Sequence, residues 1–340
     1  MTRSIVGYPV LLMGLLAAHL ACADDADVKS LRERLFAEGP EAWEKIKALT
    51  MQLEGSGTMT ASPYGSDGGS RVECWKLKRN GDLLVFEKAR MNEAGNEEGR
   101  SAWGSNSRYG FSIRRRHLPS PWALRNCGTE EEAKEYAYRR ARQSGFLRYL
   151  DAPWNLLGVP LEEIIRGRGI TIVAVSPVEE QGRTYAKVEF RDWSFPNPVG
   201  KGNVSVRDGW TILDPNEAWA IQRYELHLTQ PHEATSSGRI EYGDRDGVPV
   251  PKRVTVRDTA DSAEHRGVWH EQKFEFTELA FREIPESEFT LTAYQLPEVM
   301  PDVIESRPVH RLWHYVLPGG LFLLVAAFIL RHVQARKRGG

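Results

Sequence analysis

Cysteine is scarce in this chain: three residues in 340, of which only Cys74 and Cys127 lie beyond the first 23 positions. So few exclude a disulfide-dense mini-protein. No charge of one sign dominates either. Lys and Arg number 45 against 46 Asp and Glu, a net charge of -1. A near-neutral chain has no long-range field to steer it onto nucleic acid, so no nucleic-acid partner is expected. Long apolar runs are confined to the two ends, which excludes a multi-span membrane protein. With 41% hydrophobic and 27% charged residues, the chain is neither a disordered tail nor a collagen-like fibre.

Catalytic motifs are missing as well. No Gly-rich phosphate loop follows a strand, and there is no Gly-x-Ser-x-Gly elbow. His270-Glu271 begins like a zinc-protease helix motif, but Phe274 occupies the second histidine position and the segment alternates like a strand. His227 with His232, and His265 with His270, lack a Cys or carboxylate at regular ligand spacing. The chain is therefore expected to be non-enzymatic, with no cofactor and no metal.

What is present begins at the ends. Met1-Thr2-Arg3, an apolar run from Val10 to Ala18, and Ala21-Cys22-Ala23 make a secretory signal peptide over residues 1–23. Cys22 offers a rival reading, the acylated cysteine of a lipoprotein, which wants an aliphatic residue where His19 stands. At the other end, residues 312–330 are apolar and Arg331, Arg336, Lys337 and Arg338 follow. That pattern predicts a transmembrane helix with a basic cytoplasmic tail at 331–340, behind a stalk at 298–311. A sorting tail removed by a protease is the alternative. The expected location is the cytoplasmic membrane of a bacterium, single-pass, with the main domain, residues 24–297, outside in the periplasm. In such an oxidising compartment Cys74 and Cys127 are candidates for a disulfide, although two unpaired thiols remain an alternative.

Two amphipathic helical stretches open the domain, Val28 to Ala37 and Glu41 to Leu49, with Gly39-Pro40 as the predicted break. Then the apolar period becomes two. Arg71 to Arg79, Asn80-Gly81, and Asp82 to Lys88 read as a hairpin turning at Asn-Gly. Counting outward sets Leu77 against Leu84 and Trp75 against Phe86, all on one face. Tyr109, Phe111 and Ile113 alternate in a further strand ending in Arg114-Arg115-Arg116, a basic triplet best read as a solvated strand end. A helical insertion is predicted at about 119–166. From Gly169 to Leu291 almost everything alternates, with short turns that imply antiparallel pairing. Early helices and late strands predict an α+β fold with one large curved antiparallel sheet and covering helices.

The sheet has an unusually aromatic apolar face. Trp75, Leu77, Leu84, Phe86, Tyr109, Phe111, Phe190 and Trp219 are its candidate ligand-lining residues. Helices simply covering this face, as a plain core, is one reading. The other is a half-barrel cavity for an apolar ligand such as an acyl chain.

Some late segments match a family. Leu213-Asp214-Pro215 with Ile221 to Glu225, Asp246-Gly-Val-Pro-Val-Pro251, and Phe276 to Phe281 followed by Ile284-Pro285 and Phe289-Thr-Leu291 resemble strand and turn motifs of bacterial LolA/RseB-like proteins. The resemblance spans about Met51 to Leu296. It implies an incomplete antiparallel β-barrel around helices and a binding role, with a lipid, a lipidated protein or another envelope protein as partner. The C-terminal anchor and the insertion depart from a soluble lipoprotein shuttle. A non-catalytic interaction module with a self-filled barrel is the alternative function.

Overall fold

The computed structural model describes residues 30–62, 70–129, 131–167, 169–196, 202–230, 233–245, 248–260 and 269–298. The signal-peptide, stalk, transmembrane-helix and tail expectations fall almost wholly outside these residues. Among the described residues no helix is long and apolar enough to cross a membrane. The fold described below belongs to the unit that ends at Leu296.

The chain opens with one helix, α1 (residues 30–50), not two. Leu31, Leu35, Gly39, Trp43, Ile46 and Thr50 form its buried stripe, at the spacing of a single amphipathic face. Gly39-Pro40 does not break it. A proline here removes one intrahelical bond, at roughly 3 kcal/mol. The buried stripe on both sides of Pro40 supplies the offsetting contacts.

A single sheet follows. Its first run comprises β1 (Gln52–Ser62), β2 (Arg71–Asn80), β3 (Leu83–Met91), β4 (Glu97–Ser105), β5 (Gly110–Arg115) and β6 (Ala123–Gly128). Then come α2 (Glu131–Gln143), α3 (Phe146–Leu150), the short pair β7 (Asn155–Leu156) and β8 (Val159–Pro160), and α4 (Leu161–Ile165). The predicted helical insertion thus also contains β6 and a small two-stranded ribbon. The second run is β9 (Thr171–Glu180), β10 (Arg183–Pro196), β11 (Asn203–Asp214), β12 (Ala220–Gln230), β13 (Ala234–Arg245), β14 (Val248–Ala260) and β15 (Trp269–Phe281).

The order β6-β5-β4-β3-β2-β1-β15-β14-β13-β12-β11-β10-β9 joins two antiparallel meanders along a β1–β15 seam. Among the described residues β6 and β9 are edges, so the barrel is not closed. The helical connection between β6 and β9 lies across the inner face. Gly110 on β5 makes room for α2: a Cβ there would sit 2.0 Å from the Ala133 carbonyl oxygen. Phe146 of α3 packs against Trp75, Phe86, Phe274 and Phe276 from both sides of the seam.

Two expectations about the early strands change. The β2–β3 hairpin turns at Gly81-Asp82, pairing Asn80 with Leu83, so Leu77 faces Phe86 and Trp75 faces Lys88. Gly81, at φ 59, holds the first turn position, the place a type II′ turn gives glycine. Tertiary bonds select this register: Asn80 donates to the Ile284 carbonyl, and the Gly81 peptide bonds Met51 and Tyr138. The shift preserves parity, so Trp75, Leu77, Leu84 and Phe86 still share a face. The second change is the disulfide: no bridge joins Cys74 and Cys127. They lie on β2 and β6, with β3, β4 and β5 between them. Four strand spacings are roughly 19 Å along the sheet, against a Cα separation below ~7 Å for a disulfide.

Candidate functional site

All eight predicted lining residues are at most 2% exposed, but they do not form one surface. Trp75, Leu77, Leu84 and Phe86 belong to the inner core, where Trp75 meets Phe86, Phe146 and Phe274 at ring distances of 5.0–5.8 Å. The Trp75 indole donates to Glu73 Oε2 at 3.2 Å, which satisfies its one polar atom. Phe190 packs on Trp193, and Trp219 also joins the inner core. Tyr109 and Phe111 are different. Phe86 pairs with Trp103, which pairs with Ser112, so neighbouring Phe111 points to the outer face.

That outer face is covered by residues 284–296. Ile284, Phe289 and Leu291 are fully buried. Asn106 donates to the Phe289 carbonyl at 3.0 Å, and the Leu291 N–H donates to the Tyr109 hydroxyl at 3.1 Å. Tyr294 lies edge-on to Phe111 and Trp122 and donates to Glu87. The Ile-Pro…Phe-Thr-Leu motif is therefore a strap. Its hydrophobic spacing was visible in the sequence, but not the face it covers.

One of the eight, Trp219, also borders open space. A cleft of about 390 Å³ runs between α1 and the β11–β12 turn, with Ala37, Ala42, Ile46, Pro215, Ala218 and Val248 among its walls. Glu38, Glu41 and Lys45 line it as well, from α1. Ala218 and Trp219 have φ of 54° and 56°, the left-handed region that non-glycine residues avoid at roughly 1–3 kcal/mol each. The turn is over-determined by its partners. Trp43 donates to the Trp219 carbonyl at 3.0 Å, and the Trp219 indole donates to Glu38 Oε2 at 3.2 Å. The Arg34 hydrogen bond holds Glu38 below the usual carboxylate range. Next to this cleft a small apolar recess is lined by Ile46, Leu49, Leu150, Val250 and Phe281.

A polar group sits on the inner face near α3, and sequence reading missed it. Ser236 donates to Asp258 Oδ1 at 2.6 Å, His270 Nδ1 lies 3.8 Å from Asp258 Oδ2, and Tyr149 bonds Gln272. Burial opposes ionisation of Asp258, yet the bonds from His270 and Ser236 and the charge of Arg148 bring it below its ordinary value. Burial pushes Tyr149 and Tyr224 upward. Counting parity from Val254 and Val256 places Asp258 inward, a signal present in the sequence. His227 bonds Asp208, and among the described residues no His, Cys and carboxylate group is arranged to hold a metal.

No family model matches the sequence, and no curated protein matches it. Several solved structures are similar in fold. A DUF1329 family protein from Desulfovibrio piger is 10% identical, with a TM-score of 0.41 over 76% of this chain and 98% of that one. A putative outer membrane lipoprotein-sorting protein domain from Vibrio parahaemolyticus is 11% identical, with a TM-score of 0.39 over 77% and 100%. A LolA superfamily protein from Nitrosomonas europaea is 10% identical, with a TM-score of 0.35 over 74% and 97%. A lipoprotein-sorting domain and a LolA superfamily protein are among the structures that align with this chain.

Proposed function

We propose that this chain is a non-catalytic, membrane-anchored extracytoplasmic binding module that receives an apolar group, the acyl chain of a lipid or lipidated protein, between α1 and the Trp219 turn. The observation that carries the reading is the cleft of about 390 Å³, largely apolar in its walls. It lies in the ~300–1,000 Å³ range of small-ligand sites. Strained Ala218 and Trp219 at its border support the reading, because backbone strain is retained where the surroundings enforce it. The terminal apolar segments support the location.

Titration of a fluorescent fatty acid tests the cleft. Wild type should bind it. Ala42→Trp, which fills the cleft, should abolish binding with little change in melting temperature. Binding unchanged by Ala42→Trp, or absent from wild type, removes the acyl reading. Reporter fusions at Leu296 and Gly340 should report opposite sides of the membrane; a cytoplasmic signal at Leu296 overturns the location.

A second reading is favoured by the sealed inner face: a protein-interaction module whose half-barrel is filled by its own side chains. Probe binding that fails in wild type while the fold melts cooperatively would leave this one standing.

A further inference from the structure

The inner face of the early meander changes character along its strands. The row Leu77–Phe86–Trp103–Ser112 runs through the aromatic core. One pleat further, the row is Trp75–Lys88–Ser101–Arg114, and the next is Glu73–Arg90–Gly99. Long cationic side chains on β3 and β5 thus flank two small residues on β4. The result is a hollow of about 280 Å³ with Lys88, Arg90 and Arg114 in its wall and Glu98 as its one lining carboxylate.

The charges are not equally engaged. Lys88 Nζ lies 2.7 Å from Glu73 Oε2, and Arg90 Nε lies 3.3 Å from Glu98 Oε2. The Arg114 guanidinium has neither an ion pair nor a hydrogen bond among the described residues, and Arg114 is exposed. Trp103 forms an apolar wall, stacked on Phe86, with the Arg140 guanidinium 5.9 Å from its ring centre. Strand alternation divides the basic triplet. Arg115 turns to the outer face, paired with Glu97 and lying over Trp122. Arg114 turns into the hollow. Gly99 and Ser101 keep the hollow open; at Gly99 even a Cβ would meet the Arg116 carbonyl oxygen at 2.9 Å.

We propose that this hollow binds a phosphate-class oxyanion, with Arg114 as the planar fork, Lys88 and Arg90 as flanking charges, Ser101 as a hydroxyl donor and Trp103 as the apolar wall. A guanidinium fork matches the oxygens of phosphate two at a time, and an unpaired one gives up no existing partner on binding. The hollow is the size of a headgroup rather than of a whole amphiphile. It is separate from the α1 cleft, so either site stands if the other fails.

Isothermal titration of the full chain in neutral detergent tests this, with inorganic phosphate and dihexanoyl phosphatidylglycerol as probes. Wild type should bind at least one probe. Arg114→Glu should weaken that binding by at least about tenfold, the loss of one charge-assisted hydrogen bond. Its melting temperature should hold, since Arg114 supports no partner. Glu98→Gln removes the lining carboxylate and should tighten binding severalfold, a gain that misfolding cannot mimic. Tighter binding of the lipid than of phosphate identifies a headgroup site, and equal binding identifies a free-phosphate site. No binding of either probe by wild type, or equal affinity in wild type and Arg114→Glu, overturns the proposal.

Discussion

Around Leu84 to Phe86 the early strands bury both faces, whereas β12 to β15 bury one. In the early meander Leu84, Val85 and Phe86 are all at most 1% exposed, although Val85 points away from its neighbours. Helix α2 covers the inner side and the 284–296 strap the outer. In the late meander, β14 alternates: Val254 and Val256 are buried while its outward residues are not. There the outer face is a ladder of ion pairs, Arg253 with Glu241 and Glu275, Arg257 with Glu271. A strand read as half-polar can thus still lie in a three-layer region if the chain returns to cover it. The outer layer over β3–β5 even holds a half-buried ionic network, with Arg100 bonded to Glu87 at 3.0 Å and to Glu97 at 2.8 Å.

The largest test of this contrast is Phe86→Ala. The phenyl ring is fully buried against Trp75, Trp103 and Phe146, so truncation should lower stability by about 3–5 kcal/mol in denaturant titration. A loss below about 1 kcal/mol would mean the inner face holds adjustable space after all. Next is Phe289→Ala, in the strap. It should cost about 3 kcal/mol and expose β3–β5 amides to hydrogen exchange while β10–β12 stay protected. Uniform loss of protection would show that the two halves do not differ as argued.

Asp151, at the end of α3, supplies a smaller effect. Burial pushes its carboxyl up to about 6, against the pull of Arg79, Arg142 and Lys47. The unfolded value is ~3.9. A carboxyl with a raised folded value keeps its proton more readily in the native state. The contribution of Asp151 to stability should therefore be most favourable below about pH 4, fall as pH rises to about 6, and then level off. Asp151→Asn should flatten that slope and add about 2 kcal/mol at pH 7, read from melts across pH. Smallest is Arg253→Ala on the late outer face. Its ion pairs are solvent-exposed, so the expected loss is under about 1 kcal/mol and should shrink in salt.

Several features were legible from residue patterns. Alternation marked the stretch from Gly169 to Leu291 as strands joined by short turns, and β9 to β15 fill most of it; in the β9–β10 turn Gln181 and Gly182 adopt positive φ. The inward set Trp75, Leu77, Leu84 and Phe86 followed from parity, which survives a two-residue register shift. The hairpin register itself did not follow, because Asn80 is engaged by Ile284, 204 positions away. Pro40 misled for the same kind of reason: local propensity argued for a break that packing overrode. Tyr109 and Phe111 do not share the face of Phe86, because β4, its alternation broken by Gly99 and Gly104, lies between and pairs Trp103 with Ser112.

The sequence by itself determined which residues alternate, where charge and apolar surface lie along each strand, and that the two ends are apolar. These are properties of period and composition, carried by neighbours a few residues apart. Only the tertiary structure decided that Phe111 faces a strap and not the inner core, that Cys74 and Cys127 stand four strands apart, and that Arg114 and Arg115 serve opposite faces. Each of those depends on how many strands intervene and on what returns to cover the sheet. That information is held in pairings between distant segments, where the free energy of packing, rather than local preference, selects among registers and faces.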